Sequence, residues 1–167
     1  MFPLERFQEY ILHHSLLQPD QKVLLTVSGG RDSVLMVHLF KGAGYQFGIA
    51  HCNFNLREEE AQRDEDFVKA LAAAMDVPFH VTHFDTKTYA HQQGISTQMA
   101  ARDLRYHWFE QIRQAENYDL IAVAHDHTDA IETILLNLTR GTGIAGLHGI
   151  LPKRGQLIRP LLFLSRV

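Results

Sequence analysis

The chain has 167 residues, of which 46% are hydrophobic and 21% charged, with a formal net charge of -3. That is one ordinary domain's worth of chain, long enough to bury a full-sized core without disulfides. Its single cysteine, Cys52, excludes an intramolecular bridge and every multi-cysteine metal or cluster site, which fits a reducing, cytoplasmic setting. No apolar run approaches the ~20 residues of a membrane span, and the start MFPLERFQEY lacks the basic-then-apolar pattern of an export signal, so a soluble, non-exported chain is expected. The net charge gives no support to nucleic-acid binding, but it is unevenly distributed. After Glu132 no acidic residue follows, while Arg140, Lys153, Arg154, Arg159 and Arg166 do. A solvated basic tail and a phosphate-facing edge are both open readings of that stretch.

In chain order, apolar residues recur at helical spacing between Glu5 and Leu16, with Pro3 well placed near the helix start. KVLLTV at 22–27 has β-branched residues and no solvent face, the pattern of a strand buried on both sides of a parallel sheet. Asp32 to Lys41 is periodic as a helix, with Gly42 and Gly44 as stop signals before a second strand, Tyr45 to Cys52. Glu58 to Met75 reads as a helix, Pro78 to Phe84 as a third strand, and Asp85 to Gly94 as a loop or short irregular helix. Ser96 can cap a helix running to about Ala115; Asp119 to Ala124 is a fourth strand and Thr128 to Thr139 another helix. GTGIAGLHGI follows, and Leu151 to Phe163 is expected to form a hairpin around the Pro-Lys-Arg-Gly turn. This alternation predicts a doubly wound α/β fold, a mostly parallel sheet with helices on both faces. No internal repeat or linker divides it, so residues 1–167 are read as one domain.

The chemistry concentrates at Ser28-Gly29-Gly30-Arg31-Asp32-Ser33, directly after the first buried strand and directly before a helix. In an open parallel sheet, ligands bind beyond the carboxyl ends of the strands, and a helix N-terminus offers unpaired N–H groups and roughly half a positive charge to a phosphate. Two glycines allow close backbone approach, Ser28 and Ser33 add hydroxyls, and Asp32 can help hold a Mg²⁺ ion that neutralises phosphate charge. The Walker pattern is absent. Gly141-Thr-Gly143-Ile-Ala-Gly146 matches the string G-x-G-x-x-G but follows a helix instead of a strand, so it is discounted as a dinucleotide fingerprint. The histidines, His13 and His14 included, form no convincing metal set, and Trp108 at helical spacing is read as core.

SGGRDS resembles the SGGxDS loop of the PP-loop ATP pyrophosphatases, which split ATP into AMP and pyrophosphate. Further segments are similar to the tRNA(Ile)-lysidine synthetase family. His51-Cys-Asn53-Phe-Asn-Leu56-Arg57 resembles its HxNHxLR segment, and Ala101-Arg102-Asp-Leu-Arg105-Tyr106 its AARxxRY helix. Ala124-His125 through Glu132-Thr133, then Arg140-Gly141-Thr-Gly143, resembles AHHxDDxxET…RGxG, and Arg159-Pro160-Leu161-Leu162 its RPLL strand. Phe54, Asp126 and Thr128 depart from the pattern, standing where the family more often has His, His and Asp.

The resemblance implies a ligase that forms a carbon–nitrogen bond. ATP adenylates the C2 carbonyl of the wobble cytidine in the anticodon loop of an isoleucine tRNA, and the amine of free L-lysine then displaces AMP to give lysidine. It implies Ser28, Gly29, Gly30, Arg31, Asp32 and Ser33 as the nucleotide loop, Asp32 as the Mg²⁺ ligand, and His125, Asp129 and Glu132 as further site residues. Asp129 or Glu132 would bind the lysine ammonium or accept its proton. Arg102 and Arg105, three apart on one helical face, suit the α-phosphate or the base, with a structural ion pair as the plainer alternative. The family carries additional C-terminal tRNA-recognition domains outside these 167 residues, and a homodimer is compatible with the resemblance. Competing readings are another PP-loop enzyme, such as a tRNA thiolase or an adenylating synthetase of small molecules, and a nucleotide-binding module without chemistry.

Overall fold

The computed structural model describes residues 3–124 and 151–164. Eleven elements follow in the order α1 (Pro3–His13), β1 (Lys22–Thr26), α2 (Arg31–Ala43), β2 (Gln46–Asn53), α3 (Glu58–Met75), β3 (Phe79–His83), α4 (Thr86–Gln93), α5 (Thr97–Ala115), β4 (Leu120–Ala122), β5 (Lys153–Arg154) and β6 (Leu157–Ile158). The sheet order is β3-β2-β1-β4-β6-β5, parallel except for the antiparallel edge strand β5. The expected doubly wound α/β architecture is therefore the observed one.

Alternation along β1 builds both cores. Val23, Leu25 and Val27 join Phe7 and Ile11 of α1, Met36, Val37 and Phe40 of α2, and Val68 and Ala72 of α3 on one face. Leu24 points the other way, with Ala50, Ile121 and Val123, into a smaller cluster closed by Phe109 of α5 and Tyr118. Both faces of the central strand are dry, which is why its sequence lacks a polar alternate.

Helix ends follow local chemistry. The Ser96 hydroxyl accepts the Met99 N–H, capping α5 as its sequence predicts, and Gly44 in the left-handed region (φ 79°) closes α2. Asp85 caps α4 by accepting from the Thr88 N–H, so the stretch read as loop or irregular helix is an eight-residue α-helix. Three boundaries differ from expectation. The first helix stops at His13, because Ser15 turns left-handed (φ 50°) and the Leu16 N–H returns to the Ile11 carbonyl. The hairpin is narrower than 151–163 and reverses at Gly155 (φ 60°), one residue later than the Pro-Lys-Arg-Gly centre, since Lys153 and Arg154 pair with Ile158 and Leu157. Arg159-Pro160-Leu161-Leu162 is a turn instead of a strand. Proline supplies no N–H to a ladder, and the Leu162 and Leu164 N–H groups bond back to the Arg159 and Leu161 carbonyls. The helix expected over Thr128 to Thr139 and the glycine-rich segment after it lie outside the described residues.

The described ends of the chain meet. Arg6 donates from Nη2 to the Phe163 carbonyl (3.3 Å), its guanidinium lies 5.2 Å from the Phe163 ring centroid, and Tyr10 packs on the same ring at 5.5 Å.

At the opposite end of the sheet, β2 needs glycine at 48. The Tyr118 phenol, which pairs with His80 Nε2 at 2.9 Å, fills the space over the strand, and a Cβ on Gly48 would overlap its oxygen and stand 2.8 Å from the ring carbon bearing it. Gly48→Ala is expected to cost roughly 2–3 kcal/mol of stability, the range of overpacked core sites. Urea unfolding checks this, and Tyr118→Phe in the same chain should restore only part of the loss because the ring carbon stays in place.

Candidate active site

The chain runs from β1 outward to β2 and β3, then crosses to pair β4 on the other side of β1. β1 and β4 therefore flank the topological switch point, where a doubly wound sheet opens a crevice at its carboxyl edge. Thr26 Oγ1 donates to the Ala122 carbonyl across this junction at 3.1 Å. A cavity of about 180 Å³ lies there, walled by Thr26, Val27 and Ser28 after β1, Ala50 and Cys52 of β2, Val123 and Ala124 after β4, and Arg105, Tyr106 and Phe109 of α5. Ser33 and Phe54 complete the lining.

The loop 28–33 braces itself. Gly29 sits at φ 100°, a conformation a side chain would strain, and its N–H reaches Ser33 Oγ at 3.3 Å. Ser33 Oγ donates to the Gly30 carbonyl at 2.9 Å, so the proton shared with Ser28 Oγ, 3.4 Å away, comes from Ser28. Ser28 Oγ in turn accepts from the Gly30 N–H at 3.2 Å. Gly30 is extended at the N-cap of α2 (φ -71°, ψ 162°) and no side chain caps that helix. The first turn of α2 thus faces the crevice without the usual hydroxyl or carboxylate on its N–H groups, the arrangement that accepts an anion. Ser28, Gly30, Arg31, Asp32 and Ser33 share a shallow depression at this helix start with Ala124.

The floor is held by buried polar groups. His51 is 3% exposed and its Nδ1 pairs with the Val27 carbonyl at 2.7 Å, tying the end of β2 to the last residue before the loop. Asn53, also buried, gives its amide to Glu65 Oε1 at 3.2 Å and accepts the Asn55 N–H at 3.0 Å, while Glu65 holds His83 Nε2 at 2.6 Å. Asn55 adopts φ 53° and donates to the Phe84 carbonyl, and Thr86 Oγ1 donates to the Phe54 carbonyl at 2.8 Å. This clamp fixes Phe54, stacked on Phe84 (5.8 Å, 25°), between the crevice and a neighbouring groove that contains Arg57, Glu60 and Asp64.

Of the residues singled out from the sequence, Ser28, Ser33 and Arg105 meet in the crevice, and Gly30, Arg31 and Asp32 border it. Arg105 and Arg102 both lie against the Tyr106 ring, at 5.1 and 5.7 Å from its centroid, but Arg102 opens instead on an adjacent hollow with Tyr89, Asp103 and His107. One turn of helix separates the two positions. His125, Asp129 and Glu132 lie outside the described residues. Sequence motifs alone assign no role to Thr26, Cys52, Tyr106, Phe109 or Val123. Their signal is positional: strand ends, and the stripe 102, 105, 106, 109 at helical spacing.

Comparison with known proteins agrees with this geometry. A family model of the PP-loop domain matches residues 3–167. The tRNA(Ile)-lysidine synthase of Bacteroides thetaiotaomicron is 49% identical over 162 residues, covering 97% of this chain and 38% of that relative. The tRNA(Ile)-lysidine synthase of Chlorobaculum tepidum is 40% identical over 166 residues, covering 97% of this chain and 50% of that relative. The chain thus spans half or less of the length of these two relatives. Among solved structures, a U34-tRNA thiolase from Methanococcus maripaludis superposes with a TM-score of 0.73 at 16% identity, over 95% of this chain and 58% of that one. The NH3-dependent NAD synthetase of Campylobacter jejuni gives 0.60 at 16% identity, over 75% and 56%. Those two likenesses concern the fold.

Burial pushes the Cys52 thiol up to about 12, with the Arg105 charge acting weakly the other way. Because its folded value lies above that of a free thiol, Cys52 stays protonated through neutral and mildly alkaline pH. Iodoacetamide at pH 8 is expected to leave it unmodified in the folded chain and to alkylate it rapidly in urea, read by mass spectrometry.

Proposed function

Since the chain belongs to the PP-loop domain family, we propose that it carries out the ATP-dependent adenylation step of lysidine formation on an isoleucine tRNA. The observation that carries the reading is the uncapped start of α2 behind Ser28-Gly29-Gly30, opening onto a crevice at the β1–β4 switch point. The wobble cytidine's C2 oxygen attacks the α-phosphate of ATP and pyrophosphate leaves. The backbone N–H groups of residues 29–33 and the α2 dipole offset the charge that accumulates on the departing group. Arg105, whose planar fork enters the crevice from α5, binds the α-phosphate or the base. Arg102 is assigned to the same region, one helical turn outward.

ATP and Mg²⁺ suit the residues present. Among the described residues no cluster of three His, Cys, Asp or Glu side chains forms a metal cage. That matches an ion held by one carboxylate, Asp32, together with phosphate oxygens and water, where it would neutralise the phosphates. In the second step the amine of free L-lysine displaces AMP, and we assign His125, Asp129 and Glu132 to this half of the reaction, with Asp129 or Glu132 receiving the ammonium or its proton. An anticodon loop supplies an unpaired base that can be splayed into a crevice without opening a duplex. Sulfur transfer is disfavoured by a single, protonated cysteine. Assembly as a homodimer and a cytoplasmic location belong to the same proposal.

Pyrophosphate release from ATP and Mg²⁺, with and without the isoleucine tRNA, tests the reading. Release is expected to require the tRNA and to fall at least ~100-fold in Asp32→Ala, on the order of one lost electrostatic contact to the transition state. Release that ignores the tRNA, or survives the substitution, would refute it.

A further inference from the structure

β6 runs parallel to β4, so the residue that follows it, Arg159, emerges on the same carboxyl edge as the SGGRDS loop. Its side chain is unusual for an arginine. The residue is 8% exposed, its Nη1 donates to the Leu151 carbonyl at 2.8 Å, and its Nε is buried with no acceptor among the described residues. No carboxylate lies within ion-pair distance of Arg159, Arg154, Arg105 or Arg102 among the described residues, where the ion pairs are Arg57–Glu60, His83–Glu65 and Arg113–Glu110. Burial holds the Arg159 guanidinium below its ordinary range, and the charges of Arg154 and Arg102 push the same way against the Tyr106 oxygen. Like charges have thus been collected beside the crevice without their own counterions. Such repulsion persists where an external anion relieves it.

We propose that Arg159, Arg154 and Arg102 form a phosphodiester-binding subsite beside the crevice that seats the sugar–phosphate backbone of the substrate RNA. The inference rests on the adenylation reading and extends it to a surface that reading leaves unused. Phosphate groups could come from the RNA or from ATP, and the geometry favours the RNA. The nucleotide's phosphates have the start of α2, whereas Arg102 faces a hollow separated from the crevice by the Tyr106 ring. Arg154 stands on the exposed edge strand β5, beside Lys153. Asp103 is the one carboxylate lining the Arg102 hollow among the described residues. A row of cations along one rim suits a chain of phosphates, which fix register without reading sequence.

The experiment measures binding of the isoleucine tRNA and of an oligouridine of about 15 nucleotides from roughly 50 to 200 mM salt, with ATP affinity measured separately. Arg102→Gln combined with Arg154→Gln, both exposed, is expected to weaken both RNAs about tenfold and to lower the log–log salt slope by about 1 to 2, with ATP affinity changed less than about twofold. Arg159→Lys, which keeps the charge but not the fork, should weaken RNA less than the double variant. An unchanged salt slope overturns the subsite, as does a wild-type chain that binds neither RNA at the lowest salt. A loss confined to ATP affinity assigns the arginines to the nucleotide and also overturns it. Adenylation is decided separately, by whether pyrophosphate release depends on the tRNA.

Discussion

A parallel strand buried on both faces has one place to deliver polar chemistry: the loop beyond its carboxyl end. β1 meets this constraint, with Val23, Leu24 and Leu25 fully buried and Ser28 exposed three residues later. The site depends on that abrupt change. The His51 bond to the Val27 carbonyl and the Thr26 bond to Ala122 hold the strand end in place, so that the glycines, and not the strand, absorb the conformational freedom. The rigid part of the site is thus core, and its adaptable part is a loop closed by its own hydroxyls.

Much of this architecture was legible in the sequence because the signals were local. An apolar run without a polar alternate marked β1, Ser96 marked the start of α5, and two glycines between strand and helix marked the loop. What stayed hidden depends on distance. Nothing near Cys52 in the sequence announces that Arg105 will face it, or that Tyr118 will occupy the missing side chain of Gly48. Arg102 shows the limit of periodicity: it shares a helical stripe with Arg105, yet the rim of the crevice falls between them. The stretch Arg159 to Leu162 shows another limit, since its apolar character reports burial of Leu161 and not the backbone conformation, which is a turn.

The polar residues of the β2–α3 connection link fold to site in a different way. Asn53, Asn55, Glu65, His83 and Thr86 bond mainly to one another and to backbone carbonyls. Buried amides and carboxylates are costly unless satisfied, and here the satisfied network fixes one aromatic ring, Phe54, at the boundary of two openings. The departure from the family's usual histidine at that position therefore replaces a titratable wall with a purely apolar one, without disturbing the backbone that carries it.

The bond from Arg6 to the Phe163 carbonyl joins residues 157 apart, and the Tyr10 ring covers the same joint. Topologically the described chain is nearly a closed ring. Whatever tension or displacement is applied at residue 164 is felt first by α1, which lies on the core cluster behind the sheet, and not by the loop at the carboxyl edge. The domain is consequently hinged from its back, leaving the mouth of the crevice mechanically free of the attachment point.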